Sequence, residues 1–342
     1  MKRVVLIGAG HAHLVVLRSL AEKPLYNARI ALVSPHAKQV YSGMLPGILA
    51  GHYRRAEAEV DIATLAERGQ VEFVPGKVQR LDPDKKTVTL ESGEDSGYDL
   101  ASINAGSLVG ASLPGAERAL PVKPYEEFLS RLRIPERVAI VGAGAAGAEI
   151  AMAVRHRGAQ VTLYSENASI SARVVRQLRR RKVDYRPGMP VTAIEPGPLV
   201  ITGLARQEFD CVVLATGAAP LPWLRQSGLR TCARGFVLVD STLRSVSHPE
   251  VFAAGDCATL ADSPHPKSGV YAVRHGEALI ENLRRRVAHA DLEPYAPQEK
   301  ALALITCGAR YAIAEHGEWS AQGWWVWWWK DRIDRRWIRS FL

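Results

Sequence analysis

Short apolar runs followed by glycine-rich turns dominate the hydrophobic pattern of the chain. The runs at residues 3–7 (RVVLI) and 137–141 (RVAIV) each lead into such a turn and then into helical patterns at 14–21 and 149–156. A short continuous apolar run rich in β-branched residues is typical of a buried strand. We therefore predict two strand–turn–helix units, the second of which continues into a strand at 159–165.

Three further apolar runs end in small residues. Two lie in residues 98–107 (YDLASINAGS) and 209–220 (FDCVVLATGAAP), and the third is a strand at 251–254 that ends before Gly255 and Asp256. A helix is expected at residues 269–286. Strands that alternate with helical segments are typical of parallel α/β sheets, so we predict an α/β fold.

The carboxyl-terminal segment has a different pattern. Residues 302–308 and 311–317 predict two strands, and residues 323–330 (GWWVWWWK) predict a third strand by alternation. Beyond Lys330 we expect a helix with one apolar stripe at four-residue spacing. The stripe consists of Trp329, Ile333, Trp337 and Phe341.

Length and composition fit about two domains in a reducing compartment. The 342 residues exceed the roughly 150 of one average domain, and the four cysteines form no C-x-x-C pair. The first residues imitate a signal peptide, but they belong to the first strand–turn–helix unit. No apolar run reaches the ~18 residues of a membrane span, so we expect a cytoplasmic protein.

The two glycine turns have the composition of dinucleotide-binding loops. Gly8 and Gly10 form the first turn, and Gly142, Gly144 and Gly147 form the second. Glycine permits the tight turn and the close approach of backbone to a pyrophosphate, which then meets the N–H groups of the following helix. Two such turns, each between a strand and a helix, predict two dinucleotide sites.

Both units depart from the usual pattern of these loops. His13 replaces the third glycine of the first turn, where it either contacts the ligand or packs beside the strand. The acidic residue expected at the end of the second strand is Ser34 in one unit and Ser165 in the other. Glu166 follows Ser165 and favours NADH slightly over NADPH, while Glu149 is a lesser candidate contact of the nicotinamide nucleotide.

The ordered motifs GAGHAH, INAGS, GAGAAG, LATG and AAGDC resemble the pyridine nucleotide-disulfide oxidoreductase superfamily over nearly the whole chain. The resemblance implies two Rossmann-like dinucleotide-binding domains. A discontinuous FAD domain takes residues 1–115 and 241–300, and an NAD(P) domain takes residues 116–240. Residues 301–342 form a β-rich and amphipathic extension.

The resemblance also implies the cofactor contacts. Gly106 and Gly217 are expected at the turns INAGS and LATG, and Asp256 after Gly255 is expected to bind the ribityl chain of FAD. The start of the helix after residue 268 is expected at the flavin pyrimidine edge. The remaining FAD contacts implied are Ser42, Gly43, Met44, Leu45, Val78, Lys267, Ser268, Gly269 and Val270.

Within the superfamily, the chain is similar to type II NADH dehydrogenases and to the flavoprotein module found fused to selenophosphate synthetase. Residues 40–53 contain none of the redox cysteines of disulfide reductases, which implies hydride entry from NAD(P)H and direct exit of electrons from the flavin. Hydride transfer needs a stacked geometry rather than an acid or base, so no catalytic residue is assigned. Quinone is the expected acceptor, although Lys267, Ser268 and Gly269 replace the Ala-Gln pair of those enzymes.

Two other functions remain open from the sequence. One is a reductase of a soluble acceptor, such as a selenium or sulfur compound or an electron-carrier protein. The other is a non-enzymatic redox sensor that binds FAD and NAD(P)H.

The Trp- and Arg-rich residues 323–342 have three alternative uses. They suit peripheral contact with the cytoplasmic face of a membrane, packing over the flavin domain, or a homodimer contact. The net charge of +9 favours anionic partners. Nucleic acid is not expected, because no aromatic residues interleave with the basic run at 176–182.

Overall fold

Two five-stranded parallel sheets organise the chain. The structure, a computed structural model, describes residues 1–110, 112–167, 170–203 and 205–342. The first sheet has the order β21-β9-β1-β2-β5. Its strands are β1 (Lys2–Ile7), β2 (Ala28–Ser34), β5 (Val71–Pro75), β9 (Leu100–Ile103) and β21 (Val251–Ala253).

The second sheet lies within the sequence of the first, between β9 and β21. It has the order β11-β18-β12-β13-β14. Its strands are β11 (Leu120–Pro121), β12 (Arg137–Val141), β13 (Gln160–Ser165), β14 (Asp184–Pro187) and β18 (Cys211–Leu214). The predicted fold of one discontinuous and one inserted Rossmann-like unit is confirmed.

Smaller antiparallel and two-stranded elements edge these sheets. Three of them are three-stranded: β6 (Val78–Asp82), β7 (Thr87–Leu90) and β8 (Asp95–Gly97); β15 (Ala193–Glu195), β16 (Leu199–Thr202) and β17 (Ala205–Glu208); β23 (Ala303–Cys307), β24 (Ala309–His316) and β25 (Trp319–Gly323). The pairs are β3 (Lys38–Val40) with β4 (Glu59–Asp61), β10 (Leu108–Val109) with β19 (Ala218–Ala219), and β20 (Val237–Val239) with β22 (Ala258–Leu260).

Helices cover the sheets and connect them. They are α1 (His11–Glu22), α2 (Leu45–Leu49), α3 (Ile62–Arg68), α4 (Tyr125–Arg131), α5 (Ala145–His156), α6 (Ala172–Arg180), α7 (Pro222–Gln226), α8 (Gly269–Val287) and α9 (Trp324–Arg339). Short 3-10 helices are Ser42–Met44, Arg55–Ala58, Ala116–Arg118 and Gly255–Cys257.

Helices α1 and α8 pack side by side on the first sheet. Leu17 and Leu279 are fully buried there with the strand residues Leu6 and Leu32. The predicted bounds of α8 agree with the structure to one residue. Val270 is 41% exposed, whereas Tyr271, His275 and Leu279 are buried.

The tryptophan-rich run is a helix, so the prediction of a strand at residues 323–330 is wrong. The third strand is β25, which ends at Gly323. Gly323 has a backbone φ of +150°, which residues other than glycine rarely adopt. Helix α9 begins at the next residue. A short apolar run does not distinguish a strand from a buried helix by periodicity, and here the helix buries one side of the run.

The buried stripe of α9 also differs from the predicted one. Trp329 and Ile333 are exposed, whereas the charged residues Lys330 and Asp334 are buried at 7% and 3% exposure. Lys330 Nζ lies 2.6 Å from Asp334 Oδ2 and donates to the carbonyl oxygen of Gly43 at 2.6 Å. The ion pair therefore fixes α9 against the segment that follows β3.

We expect Lys330→Met to destabilise the protein by about 3–5 kcal/mol, because it leaves the Asp334 carboxylate buried without its cation. Adding Asp334→Leu is expected to restore most of that loss, since neither charge then remains. Thermal unfolding of the two variants and the unchanged protein measures this. Equal midpoints for the single and double variants would show that the pair is not the source of the effect.

Candidate functional site

The carboxyl ends of β1, β9 and β21 meet at one edge of the first sheet. Asn104, which follows β9, joins them: its Nδ2 donates to Ala254 O at 2.7 Å, and its Oδ1 accepts from His13 N at 3.1 Å. Gly10 N donates to the Asn104 carbonyl at 3.0 Å. Gly8 and Gly10, the predicted phosphate loop, therefore lie beside the ends of the other two strands.

Helix α1 begins directly after Gly10 with its amino end free. Gly10 is the N-cap and offers no side chain, so the N–H groups of His11 and Ala12 have no side-chain cap, whereas that of His13 donates to Asn104 Oδ1. These groups, together with the helix dipole, favour an anion at this position. A Cβ built on Gly106 meets nothing within 4 Å, which leaves open space beside the loop. The residues present fit the pyrophosphate of FAD.

His13 packs inside the protein rather than lining this space. Its side chain is fully buried, its Nδ1 donates to the Gly8 carbonyl, and its Nε2 accepts from Ser102 Oγ at 2.8 Å. Burial lowers the pKa of His13 to about 4, so the ring is neutral. Of the two alternatives for His13, these contacts match packing beside the strand, and a contact with FAD stays a prediction.

Asp256 lies in the 3-10 helix after β21 and faces the same edge. Its Oδ2 accepts from Lys123 Nζ at 2.7 Å and from Ser107 Oγ at 3.2 Å. Burial opposes ionisation of Asp256, but the Lys123 ammonium and these hydrogen bonds hold its pKa below the usual range. Lys123 was missed by sequence reasoning, since it precedes a proline in a connecting segment and belongs to no motif.

The amino end of α8 approaches the site from another side. Ser268 is the N-cap and makes no side-chain cap hydrogen bond, so Gly269 and Val270 present free N–H groups. Lys267 does not share this position. Its Nζ donates to Thr259 Oγ1 at 2.8 Å and to the Ala258 carbonyl, and it lies over the ring of Phe236. The ammonium is thus bound to the protein.

The segment Ser42–Leu45 faces the amino end of α1 across the site. Met44 and Leu45 are buried, and Lys330 of α9 binds the Gly43 carbonyl. Farther along the sheet, Ser34 donates to the His36 carbonyl at the end of β2, and Val78 is buried at the start of β6.

An aromatic cluster missed by sequence reasoning adjoins this segment. The His11 ring lies 5.5 Å from that of Tyr41 and 6.4 Å from that of Trp337, and its Nε2 is 3.5 Å from Ser42 Oγ. Burial lowers the pKa of His11 to about 4. The signal in the sequence was its place directly after Gly10, at the first position of α1.

The second glycine turn has the geometry of the first. A Cβ on Gly147 would lie 1.8 Å from Gly142 O, so α5 can pack on this turn only with glycine at that position. Gly144 is the N-cap of α5, and a Cβ at Gly144 or Gly217 meets nothing within 4 Å. This open space at a free helix end fits the pyrophosphate of a nicotinamide nucleotide.

Glu149 and Glu166 have different surroundings near this turn. Glu149 Oε1 accepts from Thr306 N at 2.8 Å and from Thr306 Oγ1 at 2.9 Å, so the carboxylate is bound to β23. Burial raises the pKa of Glu149. Glu166 is exposed after β13, while Ser165 donates to the Asn167 carbonyl. Of the two carboxylates only Glu166 is exposed, and its contact with a nucleotide ribose stays a prediction.

Comparison with known proteins agrees with this architecture. Residues 2–276 match the family model described as pyridine nucleotide-disulphide oxidoreductase. A nitric oxide reductase FlRd-NAD(+) reductase of Aeromonas salmonicida is 26% identical over 281 residues, which span 75% of this chain and 71% of the relative. An NADH dehydrogenase-like protein, YutJ of Bacillus subtilis, is 25% identical and covers 89% of both chains.

A solved structure supports the fold over the whole chain. The sulfide:quinone oxidoreductase of Aquifex aeolicus superposes with a TM-score of 0.82 at 18% identity, covering 100% of this chain and 91% of the other. Since the family match spans both parallel sheets, the chain belongs to the pyridine nucleotide-disulphide oxidoreductase family and is an oxidoreductase that uses FAD and NAD(P)H.

Proposed function

We propose that the enzyme transfers electrons from NAD(P)H through FAD to a quinone at a membrane surface. FAD occupies the edge formed by Gly8, Gly10, Gly106 and Asp256, and NAD(P)H occupies the turn at Gly142 and Gly144. When bound, FAD accepts a hydride from the nicotinamide and supplies two electrons to the acceptor. The protein orients both dinucleotides through helix amino ends and excludes water between them.

No thiol relay is part of this proposal. The four cysteines are free, and Cys257, the one beside Asp256, is fully buried. Burial raises the pKa of the Cys257 thiol to about 11, and a protonated buried thiol is a poor nucleophile. Electrons therefore leave for an acceptor that binds next to the flavin.

The exposed face of α9 is the observation that supports a membrane-soluble acceptor. Its uncovered apolar side chains are Trp324, Trp325, Trp328, Trp329 and Ile333, with exposures between 36% and 67%. Their spacing puts them along one side of the helix, together with exposed Arg332 and Arg336. Tryptophan favours the headgroup level of a bilayer, and each basic residue near an anionic surface adds about 1 kcal/mol.

The buried side of the same helix reaches the candidate site. Lys330 contacts Gly43, and Trp337 stacks against His11 at the amino end of α1. The proposed membrane-facing helix therefore also packs directly on the candidate site. No described helix is long and apolar enough to cross a bilayer. The exposed tryptophans and arginines of α9 are the ground for proposing peripheral contact with the cytoplasmic face of the membrane.

A soluble electron carrier is the second candidate acceptor. Two relatives are named as reductases of this type, an FlRd-NAD(+) reductase and a ferredoxin--NAD(+) reductase component, at 26% and 28% identity. An exposed aromatic face with arginines also suits an acidic carrier protein. The interpretation as a non-enzymatic sensor is set aside, because the family consists of oxidoreductases.

Anaerobic titration of the FAD-loaded protein tests the proposed acceptor. We expect NADH to bleach the flavin at lower concentration than NADPH, because the Glu166 carboxylate disfavours a 2′-phosphate. A soluble ubiquinone analogue should then restore the absorbance rapidly, whereas ferredoxin should not. Rapid return with ferredoxin and none with the quinone would replace the proposal by the carrier alternative.

Vesicle flotation tests the membrane contact of α9. We expect the protein to float with vesicles that contain phosphatidylglycerol and to float less with phosphatidylcholine alone. The double variant Trp324→Ser/Trp328→Ser should remain in the soluble fraction, because both indoles are exposed. Tyr26→Ser, which removes an exposed aromatic side chain outside α9, is the control and should float normally.

Equal flotation of the double variant and the unchanged protein would contradict membrane docking through α9. If flotation is absent and the protein is dimeric in gel filtration, with the double variant monomeric, the aromatic face is a dimer contact instead.

A further inference from the structure

The aromatic cluster beside the amino end of α1 contains unused hydrogen-bonding groups. The indole Nε1 of Trp337 is buried and has no hydrogen-bond partner among the described residues. In the same part of the structure, the one polar contact of the His11 ring is the 3.5 Å contact of Nε2 with Ser42 Oγ. A buried N–H without a partner destabilises the protein, so these groups suit an acceptor atom supplied by a ligand.

The surroundings keep both rings in place. Trp337 lies between His11 on one side and Phe341 on another, with ring centroids at 6.4 Å and 4.8 Å, and the Arg18 guanidinium lies 5.8 Å from its ring. Arg18 in turn donates to Ser340 Oγ at 3.0 Å. The free N–H of Trp337 is therefore held by packing on several sides and is not a mobile surface group.

The cluster lies next to the proposed flavin site. His11 is the first residue of α1, immediately after Gly10, and its Nε2 is 3.8 Å from the position of a Cβ on Gly269 at the amino end of α8. The charges of Asp256 and Lys123 act on His11 with opposite signs, which places both groups nearby. The ring thus lies between the two helix ends expected to contact FAD.

We propose that His11 and Trp337 form the subsite for the ring carbonyl groups of the quinone, with Trp337 donating a hydrogen bond and His11 delivering a proton. This inference rests on the proposed quinone reductase function and assigns the residues that bind the acceptor. His11 is then a catalytic residue, because it touches the reacting oxygen.

The reduction of quinone consumes a proton, so a proton donor is needed at the quinone oxygen. Reduction of a quinone to its quinol by NAD(P)H consumes one further proton: NAD(P)H, H⁺ and quinone give NAD(P)⁺ and quinol. The hydride supplies both electrons and one proton equivalent. The second proton comes from solvent through the His11 ring in one concerted step: as one ring nitrogen takes up a proton, the N–H of the other passes its proton to the reduced carbonyl oxygen, so the ring stays neutral. His11 as a residue is half-buried rather than fully enclosed.

The imidazole ring of His11 can both donate and accept a proton. Because burial lowers the pKa of His11 to about 4, the ring is neutral at neutral pH and has one N–H donor and one free acceptor nitrogen. A neutral imidazole can donate at one nitrogen while it accepts at the other. Proton transfer by a positioned side chain typically contributes at least a hundredfold to a rate, so loss of the ring has a measurable effect.

His11→Asn tests the proton role by comparing two acceptors. Ferricyanide takes electrons without a proton, whereas quinone needs one. We expect the ratio of quinone to ferricyanide reoxidation rates, measured in single turnovers of the NADH-reduced protein, to fall at least about tenfold. His316→Gln, which changes an exposed histidine on β24, is the control and should keep the ratio of the unchanged protein.

Trp337→Phe tests the binding role without turnover. It keeps the aromatic packing and removes only the indole N–H, so the Kd of the oxidised protein for a ubiquinone analogue, measured by equilibrium dialysis, should rise roughly five- to tenfold. This measurement reports on the subsite independently of electron transfer.

The outcomes separate the inference from the function on which it rests. If the unchanged protein reduces quinone and His11→Asn keeps its ratio, or if Trp337→Phe binds the analogue as tightly as before, the subsite is overturned while the quinone reductase function stands. If the unchanged protein neither binds nor reduces quinone, both proposals fall.

Discussion

One buried amide joins the three strand ends on which the proposed flavin site depends. Asn104 is 2% exposed, and its side chain bonds to His13 on α1 and to Ala254 after β21, while its backbone carbonyl receives Gly10 N–H. Parallel strands do not join their ends directly, since each connection crosses the sheet. The amide provides that link between segments about 150 residues apart in the sequence, and it fixes the glycine loop relative to Asp256. Without it, the two halves of the FAD domain would present their ligand groups independently.

The helix α9 is tied to this centre by a charged pair rather than by apolar packing alone. Burying Lys330 with Asp334 gains little net stability, because desolvation offsets most of the attraction. The pair does require one register, because Lys330 Nζ must reach both the Asp334 carboxylate and the Gly43 carbonyl. We interpret the pair as the feature that fixes which side of α9 faces inward. The tryptophans that remain outside are then a consequence of that register.

The sequence predicted the parallel sheets, the glycine turns and α8 because strand–turn–helix units carry strong local signals. It failed where local periodicity is ambiguous or where contacts are distant in sequence. The run at residues 324–329 satisfies alternation, but β25 already completes the small sheet and Gly323 redirects the chain. The roles of Lys123 and Trp337 depend on partners more than a hundred residues away, at Asp256 and His11. His13 was left undecided, since only the structure shows Ser102 opposite its ring. The contacts assigned to FAD and NAD(P)H stay predictions.

The two sides of the proposed flavin site impose different chemical demands, and the residues differ accordingly. Hydride entry needs alignment, and the NAD(P) side offers open glycine turns and a free helix end at Gly144. Quinone reduction needs a proton donor and a hydrogen-bond donor at the quinone carbonyl oxygens. The side of the proposed flavin site that α9 covers offers His11 and the unpartnered N–H of Trp337. A one-electron carrier protein would need neither group. The free donor of Trp337 beside His11, next to an exposed aromatic surface, is therefore the reason to prefer a small carbonyl acceptor from the membrane over a protein partner.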